Sequence, residues 1–417
     1  MAITPESPDW TIPSHPHALM RLLISVEEAD AVLRSSTPDA VTEQIALPDA
    51  VGRVLAQPVV AEGAQPPFDR VMMDGVATRW QPVMPAMLRV AGAQMAGMHG
   101  QALEDAGSCI EVSTGAVLPE GCDCIVPIEQ LERTAGGYAL RPTAVPVAGR
   151  FIHRRGSDCA AGTPVLAPGI HIGPPQMALL AANGVARVTV ARLPKVAIVA
   201  TGDELVDVDA ALPPGRIRRS NDLALMAALQ AAGLGRASLH HLADDPALLA
   251  EALGRLLASH DTLVLSGGVS MGQRDYLPGT LEALGVRCHF HGIAQRPGKP
   301  MWFGVGPQGQ RVFALPGNPV SSLVCLIRYV RPALLAGMGA APAAPEQVSL
   351  ATALPAFALA QFIPVHLRDD GAGNTVAEPV ASRNSGDFTA LAGTAGVLEL
   401  VAGSAGQAGQ PLRLHRW

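Results

Sequence analysis

The stretch from residue 193 to 337 most narrows what this 417-residue chain can fold into, because apolar runs of strand length alternate there with helix-like runs. KVAIVATGDEL, NDLALMAALQAAGL, DTLVLSGGVS, DYLPGTLEALG, RVFALPG and NPVSSLVCLIRYVRPAL follow one another. Strands separated by helices are joined by crossovers, which lay the strands parallel and place helices on both faces. The pattern therefore predicts a doubly wound α/β domain with a parallel sheet. Ligands of such sheets sit beyond the carboxyl ends of the strands, and three strands here run into unusual loops. TGDEL carries Asp203 and Glu204. SGGVSMGQRD offers backbone N–H groups around Ser266, Gly267, Gly268 and Ser270 to an anion and brings in the carboxylate of Asp275. In LPGNPVSS, Asn318 is placed to cap the next helix and Pro319 suits its first position.

The turn RPGKP, residues 296 to 300, adds a cation to the same domain. The chain has 30 basic residues, of which only Lys195 and Lys299 are lysine, so nearly every positive charge is written as arginine. A lysine is a compact point charge that fits beside a phosphate in a tight turn, where the broad guanidinium fork does not. Acidic groups, anion-cradling glycines and this lysine, all assigned to one sheet edge, predict a pocket for a phosphate and a metal.

A single core does not serve 417 residues, and the length suggests roughly two to four domains. SVEEADAVLRS reads as a helix with a capping box from Ser25 and Glu28, and DAVGRVLA at 49 to 56 as a second short helix. From about 60 to 155, short apolar runs cut by Gly and Pro predict an inserted β-rich domain. PPQMALLAANG returns to helical spacing and is expected to rejoin the first helices. After the linker APAAPEQ, alternating runs such as VLELVAG and PLRLHRW predict a C-terminal β domain. The expected division is 19–60 with 156–192 as a helical N-terminal linker domain, 61–155 inserted, 193–337 α/β, and 338–417 terminal.

At net charge −6 and with no basic tract beyond Arg216, Arg218 and Arg219, nucleic-acid binding is not expected. The start of the chain lacks a signal peptide pattern, and no window has the roughly 18 uninterrupted apolar residues of a membrane span. A cytoplasmic protein without membrane contact is expected. Its six cysteines are scattered without paired zinc-site spacing and read as buried, reduced thiols.

Seven motifs in order resemble the molybdopterin molybdenumtransferases, the family that includes the gephyrin E domain. They are PPFDRVMMDGVA, STGAVLPEGCDCIVPIE, RRGSDCAAG, TGDEL, SGGVSMGQRDY, RPGKP and LPGNPVSS, and the resemblance spans about residues 20 to 400. It implies an elongated four-domain homodimer in which residues 193–337 bind molybdopterin and face the partner's inserted domain. It implies the substrates molybdate and adenylylated molybdopterin, Mg2+-dependent cleavage of the phosphoanhydride, release of AMP, and transient contact with other molybdenum cofactor biosynthesis proteins or recipient molybdoenzymes. Carried over by residue, Asp74, Thr114, Asp158, Glu204 and Asp275 match catalytic positions, with Glu204 and Asp275 toward the metal. Ser266, Gly267, Gly268, Ser270, Asn221 and Asn318 match substrate-binding positions, and Arg296, Lys299, Pro300 and Ser385 match the molybdate positions.

The chain departs from the family at Arg219, where a carboxylate is usual, and at Pro364, where an arginine is common. Arg70 and Val76 stand for Asn and Tyr, and Arg296 for lysine. Two other readings keep the α/β domain but change its use: a non-catalytic molybdopterin carrier or scaffold, and a nucleotide-pyrophosphate hydrolase.

Overall fold

The computed structural model describes residues 23–269, 275–380 and 386–417, so Ser270 and Ser385 lie outside the described residues. Helix α1, Val26–Ser35, begins at the expected capping box: Ser25 Oγ accepts from the Glu28 N–H at 3.1 Å and Glu28 Oε2 from the Ser25 N–H at 2.6 Å. Val26, Ala29 and Leu33, three and four residues apart, bury one face of α1 against the α/β core. The helix expected over 49–56 does not form. Leu47–Ala50 makes one 3-10 turn, Gly52 takes φ +78°, and Val54 and Leu55 then bridge to His171 and Val190. Long-range pairing overrides helix propensity here. Thr42–Ala46 pairs antiparallel with Arg187–Ala191, and Val59–Val60 with Pro164–Leu166. These ribbons and helix α2, Pro174–Ala182, enclose a small core of Leu55, Ile172, Leu180 and Val190.

Between the two halves of that unit lies a six-stranded sheet ordered Cys124–Pro127, Gly75–Thr78, Ser108–Val112, Met87–Gln94, Gly137–Leu140, Leu131–Thr134. Apolar layers cover both faces, with Cys122 in one and Cys109 and Cys124 in the other. All six cysteines are free; burial pushes the Cys109 and Cys122 thiols up to about 12 and that of Cys124 to about 11, whereas Cys159 and Cys288 are partly exposed.

The α/β region contains β1 (Val196–Thr201), β2 (Ser238–Leu242), β3 (Thr262–Ser266), β4 (Arg287–His291), β5 (Trp302–Val305) and β6 (Arg311–Leu315), in the order β2-β1-β3-β6-β5-β4. The first four in that order are parallel, but β5 runs antiparallel to both its neighbours. The sheet is thus mixed rather than wholly parallel. The reason is local: a short turn, in which the Gly306 N–H donates to Gln310 O at 2.7 Å, joins β5 to β6, and so short a link permits only an antiparallel pair.

Helices α4 (Pro246–Ser259) and α5 (Leu277–Ala283) pack Leu249, Leu253, Leu277 and Leu281 on one face. Helix α3 (Asn221–Ala231) covers the other with α6 (Pro319–Cys325), which passes through a π-helical turn into α7 (Arg331–Gly337). This continuous 19-residue helix is long and apolar enough to cross a membrane, yet 67% of its most apolar window is buried inside the protein, as in a core helix.

In the C-terminal region Ala360–Asp369, Thr375–Pro379, Gln347–Leu350, Pro411–Arg416 and Gly396–Leu400 pair in sequence, and the last returns to the first, closing a barrel. Gln295–Arg296 adds to Ala360–Asp369 in parallel, so the segment leading into RPGKP is stitched to that barrel. A buried cation fastens the same junction. Arg328, in the π-helical turn, donates through both Nη atoms to Asp30 at 2.8 Å and through Nη2 to Glu399 at 3.3 Å, while Glu399 Oε2 meets His415 Nε2 at 2.7 Å.

Candidate active site

Strands β1, β3 and β6 are neighbours, so the three loops singled out in the sequence emerge side by side. From β1 the chain crosses to β2 on one side, and from β2 it returns to β3 on the other. The crevice at that reversal is where open α/β sheets bind ligands. A cavity of about 450 Å³ opens there, lined by Thr201, Glu204, Arg219, Asn221, Ser266, Gly267, Pro300, Pro316, Gly317 and Asn318 among others.

Its floor requires glycine. Gly267 and Gly268 take φ +106° and +65°, and a Cβ would lie 2.7 Å from Thr201 O or 2.9 Å from Leu277 Cδ1. The Gly267 N–H donates to Leu315 O at 3.2 Å, so this residue supplies room rather than the anion donor expected of it. Asn221 ties two loops together, its Nδ2 donating to Ser266 Oγ at 2.9 Å and to Gly317 O at 2.8 Å. Thr201 Oγ1 and Asn221 Oδ1 are buried without a hydrogen-bond partner among the described residues. Buried polar atoms normally find one, so these two suit a polar ligand. Arg219 has its Nε 3.3 Å from Oδ2 of the fully buried Asp222 and 3.4 Å from Asp207 Oδ1. Asp222 lies behind Arg219 rather than in the cavity wall, so it does not restore a carboxylate there.

At the adjoining edge four carboxylates gather. Burial raises the Asp244 carboxyl above its ordinary range, and the negative charges of Asp203, Glu204 and Asp275 push in the same direction. The Asp244 N–H also donates to Asp203 Oδ1 at 3.2 Å. Asp244 was missed in the sequence, although HLADD follows β2 as TGDEL follows β1. Among the described residues no three His, Cys, Asp or Glu side chains are arranged to hold a metal ion by themselves. The crowding of like charge still suits a hard divalent cation whose remaining ligands come from diphosphate oxygens and water.

A second cavity, about 600 Å³, lies between RPGKP and the barrel; its lining includes Arg296, Lys299, Phe357, Phe362, Ile363 and Pro364. Pro300, Pro316 and Asn318 line both cavities. Asn318 stands at the N-cap of α6 but its side chain does not cap the helix. Lys299 Nζ has no hydrogen-bond or ion-pair partner among the described residues, and the Arg296 guanidinium lies over the Phe357 ring, 5.5 Å from its centroid. Under the turn, buried Tyr329 donates to Gln295 Oε1, and Gln295 Nε2 donates to Pro297 O at 2.9 Å. Gly298, at φ +94°, packs so closely that a Cβ would stand 2.6 Å from both Cys325 Sγ and Gln295 Nε2.

Asp74, Thr114 and Asp158 line neither cavity of their own chain. Asp74 Oδ1 accepts from the Thr114 N–H at 2.6 Å and hydroxyl at 2.9 Å, which holds this exposed carboxyl below its usual range. Asp158 Oδ1 meets His153 Nε2 at 2.6 Å, with the same effect. Each carboxylate is anchored by one oxygen, and neither Oδ2 has a hydrogen-bond partner among the described residues.

Residues 24–184 match the family described as the MoeA N-terminal region (domain I and II), and residues 197–336 match that described as a probable molybdopterin binding domain. The chain is 36% identical over 400 residues to the molybdopterin molybdenumtransferase of Synechocystis sp., covering 95% of this chain and 100% of the relative. It is 35% identical over 327 residues to molybdopterin molybdenumtransferase 2 of Mycobacterium tuberculosis, covering 76% and 80%. The crystal structure of the molybdopterin biosynthesis moeA protein from Pyrococcus horikoshii OT3 superposes with a TM-score of 0.80 at 27% identity, over 95% of this chain and 100% of that one.

Proposed function

The chain belongs to the molybdopterin molybdenumtransferase family, enzymes of molybdenum cofactor biosynthesis, and on that premise we propose that it transfers molybdenum from molybdate to adenylylated molybdopterin, with Mg2+-dependent cleavage of the phosphoanhydride and release of AMP. The observation that carries this reading is the pair of cavities with a common wall at Pro300, Pro316 and Asn318. One offers buried polar atoms, loop glycines and nearby carboxylates; the other offers a lysine and an arginine. A pterin nucleotide in the first would lie beside a small oxyanion in the second.

Asn221, Ser266 and Thr201 would orient the nucleotide through hydrogen bonds. Lys299 and Arg296 would hold molybdate by charge, with Phe357 steering the guanidinium. Glu204 and Asp275, with Asp244, would hold Mg2+, which when bound neutralises diphosphate charge and favours departure of the phosphate. Asp74 and Asp158, set away from their own chain's cavities with an oxygen to spare, would reach the site of a second copy in a homodimer. Free thiols throughout suit a reducing compartment such as the cytoplasm.

The test is incubation of the protein with adenylylated molybdopterin, molybdate and Mg2+, followed by chromatographic detection of AMP. The reading expects release that requires both ions. Release without any need for molybdate would point instead to a pyrophosphate hydrolase, and tight binding without release to a carrier.

A further inference from the structure

Two side chains in line, Arg70 and His153, hold the Asp158 carboxylate, and neither has a role in the site so far. Arg70 Nη2 lies 3.0 Å from His153 Nδ1, and His153 Nε2 lies 2.6 Å from Asp158 Oδ1. A guanidinium has donors and no acceptor, so Nδ1 must present its lone pair and the ring proton must sit on Nε2, aimed at the carboxylate. The backbone sets this up. Arg70 and His153 are directly opposite in a two-stranded antiparallel ribbon, which projects their side chains to one face. After the turn at Gly156, at φ +74°, the Asp158 N–H donates to Gln65 O at 3.0 Å and fixes where the carboxylate begins. Ser157 Oγ adds a 3.3 Å bond to the same Oδ1. The neighbouring Arg154 is engaged by Asp69 at 2.6 Å and does not compete for the relay. His153 is 24% exposed and Asp158 56%, so the ring stands behind the carboxylate and the carboxylate faces outward.

We propose that Arg70 and His153 are positioning residues for Asp158: Arg70 keeps His153 Nδ1 unprotonated, and the His153 Nε2–H fixes Oδ1 so that Oδ2 is presented to the phosphate-bearing substrate. The role of the presented oxygen rests on the proposed function above, whereas the tautomer does not.

Two measurements on the full-length protein decide it. In 15N-histidine spectra, with His153 assigned by its loss in His153→Gln, the parent should show the neutral Nε2-protonated ring, and Arg70→Ala, in which nothing bars a proton from Nδ1 while Nε2 still faces the carboxylate, should show Nδ1 protonated as well. In the AMP-release assay His153→Leu should lower kcat roughly tenfold, the effect of a modest misplacement of a reacting group, with the molybdate half-saturation and melting temperature unchanged. His153→Gln, whose amide N–H can take the place of Nε2–H, should keep most of the parental rate; a merely structural histidine would not distinguish these two variants. The opposite or an averaged tautomer in the parent overturns the relay, as does equal impairment of the Gln and Leu variants or a Leu variant as fast as the parent. If the parent releases no AMP at all, the proposed function fails on its own, and the spectra still decide the relay.

Discussion

Lys299→Ala separates binding from folding more cleanly than any other single change in the site. Lys299 Nζ has no partner among the described residues, so its removal leaves no buried acceptor stranded. Stability should then stay within about 0.5 kcal/mol of the parent, as for substitutions away from buried networks. The anion, by contrast, loses a charge-assisted hydrogen bond of about 1.5 to 3 kcal/mol, which is roughly a ten- to hundredfold rise in the molybdate needed for half-maximal AMP release. Lys299→Arg should recover part of that loss, because the charge returns but the broad fork does not fit a turn this close to the cavity wall. Lys195→Arg is the control: Lys195 immediately precedes β1, at the end of the strand away from TGDEL. The assay is a molybdate titration of the four proteins alongside thermal melts. An Ala variant that titrates like the parent would remove Lys299 from the anion site; an Arg variant indistinguishable from the parent would show that shape is irrelevant.

Gly298→Ala should instead damage fold and site together, because it places a Cβ 2.6 Å from two buried atoms at φ +94°; overpacking of this kind costs about 1 to 3 kcal/mol, and an unchanged urea midpoint would refute it. At molybdate too low to support Lys299→Ala alone, mixing Asp74→Ala with Lys299→Ala chains after verified subunit exchange should restore part of the AMP release if sites are shared across a homodimer, and no recovery would contradict sharing. Glu399 is largely buried, but hydrogen bonding to His415 and the charge of Arg328 hold its carboxyl down at about 2, below the unfolded value near 4.5. A depressed carboxylate stabilises above its unfolded pKa and loses that contribution as pH falls toward the folded one. Urea midpoints should therefore drop between about pH 4.5 and 2 by an amount worth roughly 3 kcal/mol in the parent but not in Glu399→Gln, and parallel profiles would refute it.

The features legible in the sequence were those that depend on neighbours along the chain. The capping box at Ser25 and Glu28, the strands ending at Thr201, Ser266 and Leu315, and the glycines of the SGG loop each have local causes, and each was read. Strand β2, SLHHL, escaped because it is an edge strand whose histidines blunt the apolar signal, and Asp244 was lost with it. The strands Arg287–His291 and Trp302–Val305 lie at the other side of the sheet, where one reversed strand makes the pattern mixed. The pairing of Val54 and Leu55 with distant backbone defeated the helix expected at 49–56. Closure of the barrel joins residues 31 to 39 apart and addition of Gln295–Arg296 to its edge joins residues 65 apart, so no window of sequence could reveal the second cavity. Arg70 and His153 are 83 positions apart and become neighbours only through their ribbon.

The most direct measurement is anomalous diffraction at the molybdenum absorption edge from crystals soaked in molybdate. The account expects one strong peak per chain in the cavity between RPGKP and the barrel, within hydrogen-bonding reach of Lys299 and Arg296, and expects it to vanish in Lys299→Ala crystals soaked at molybdate near the parent's half-saturation. A peak elsewhere in the molecule, or one in that cavity that survives loss of the lysine, would contradict it.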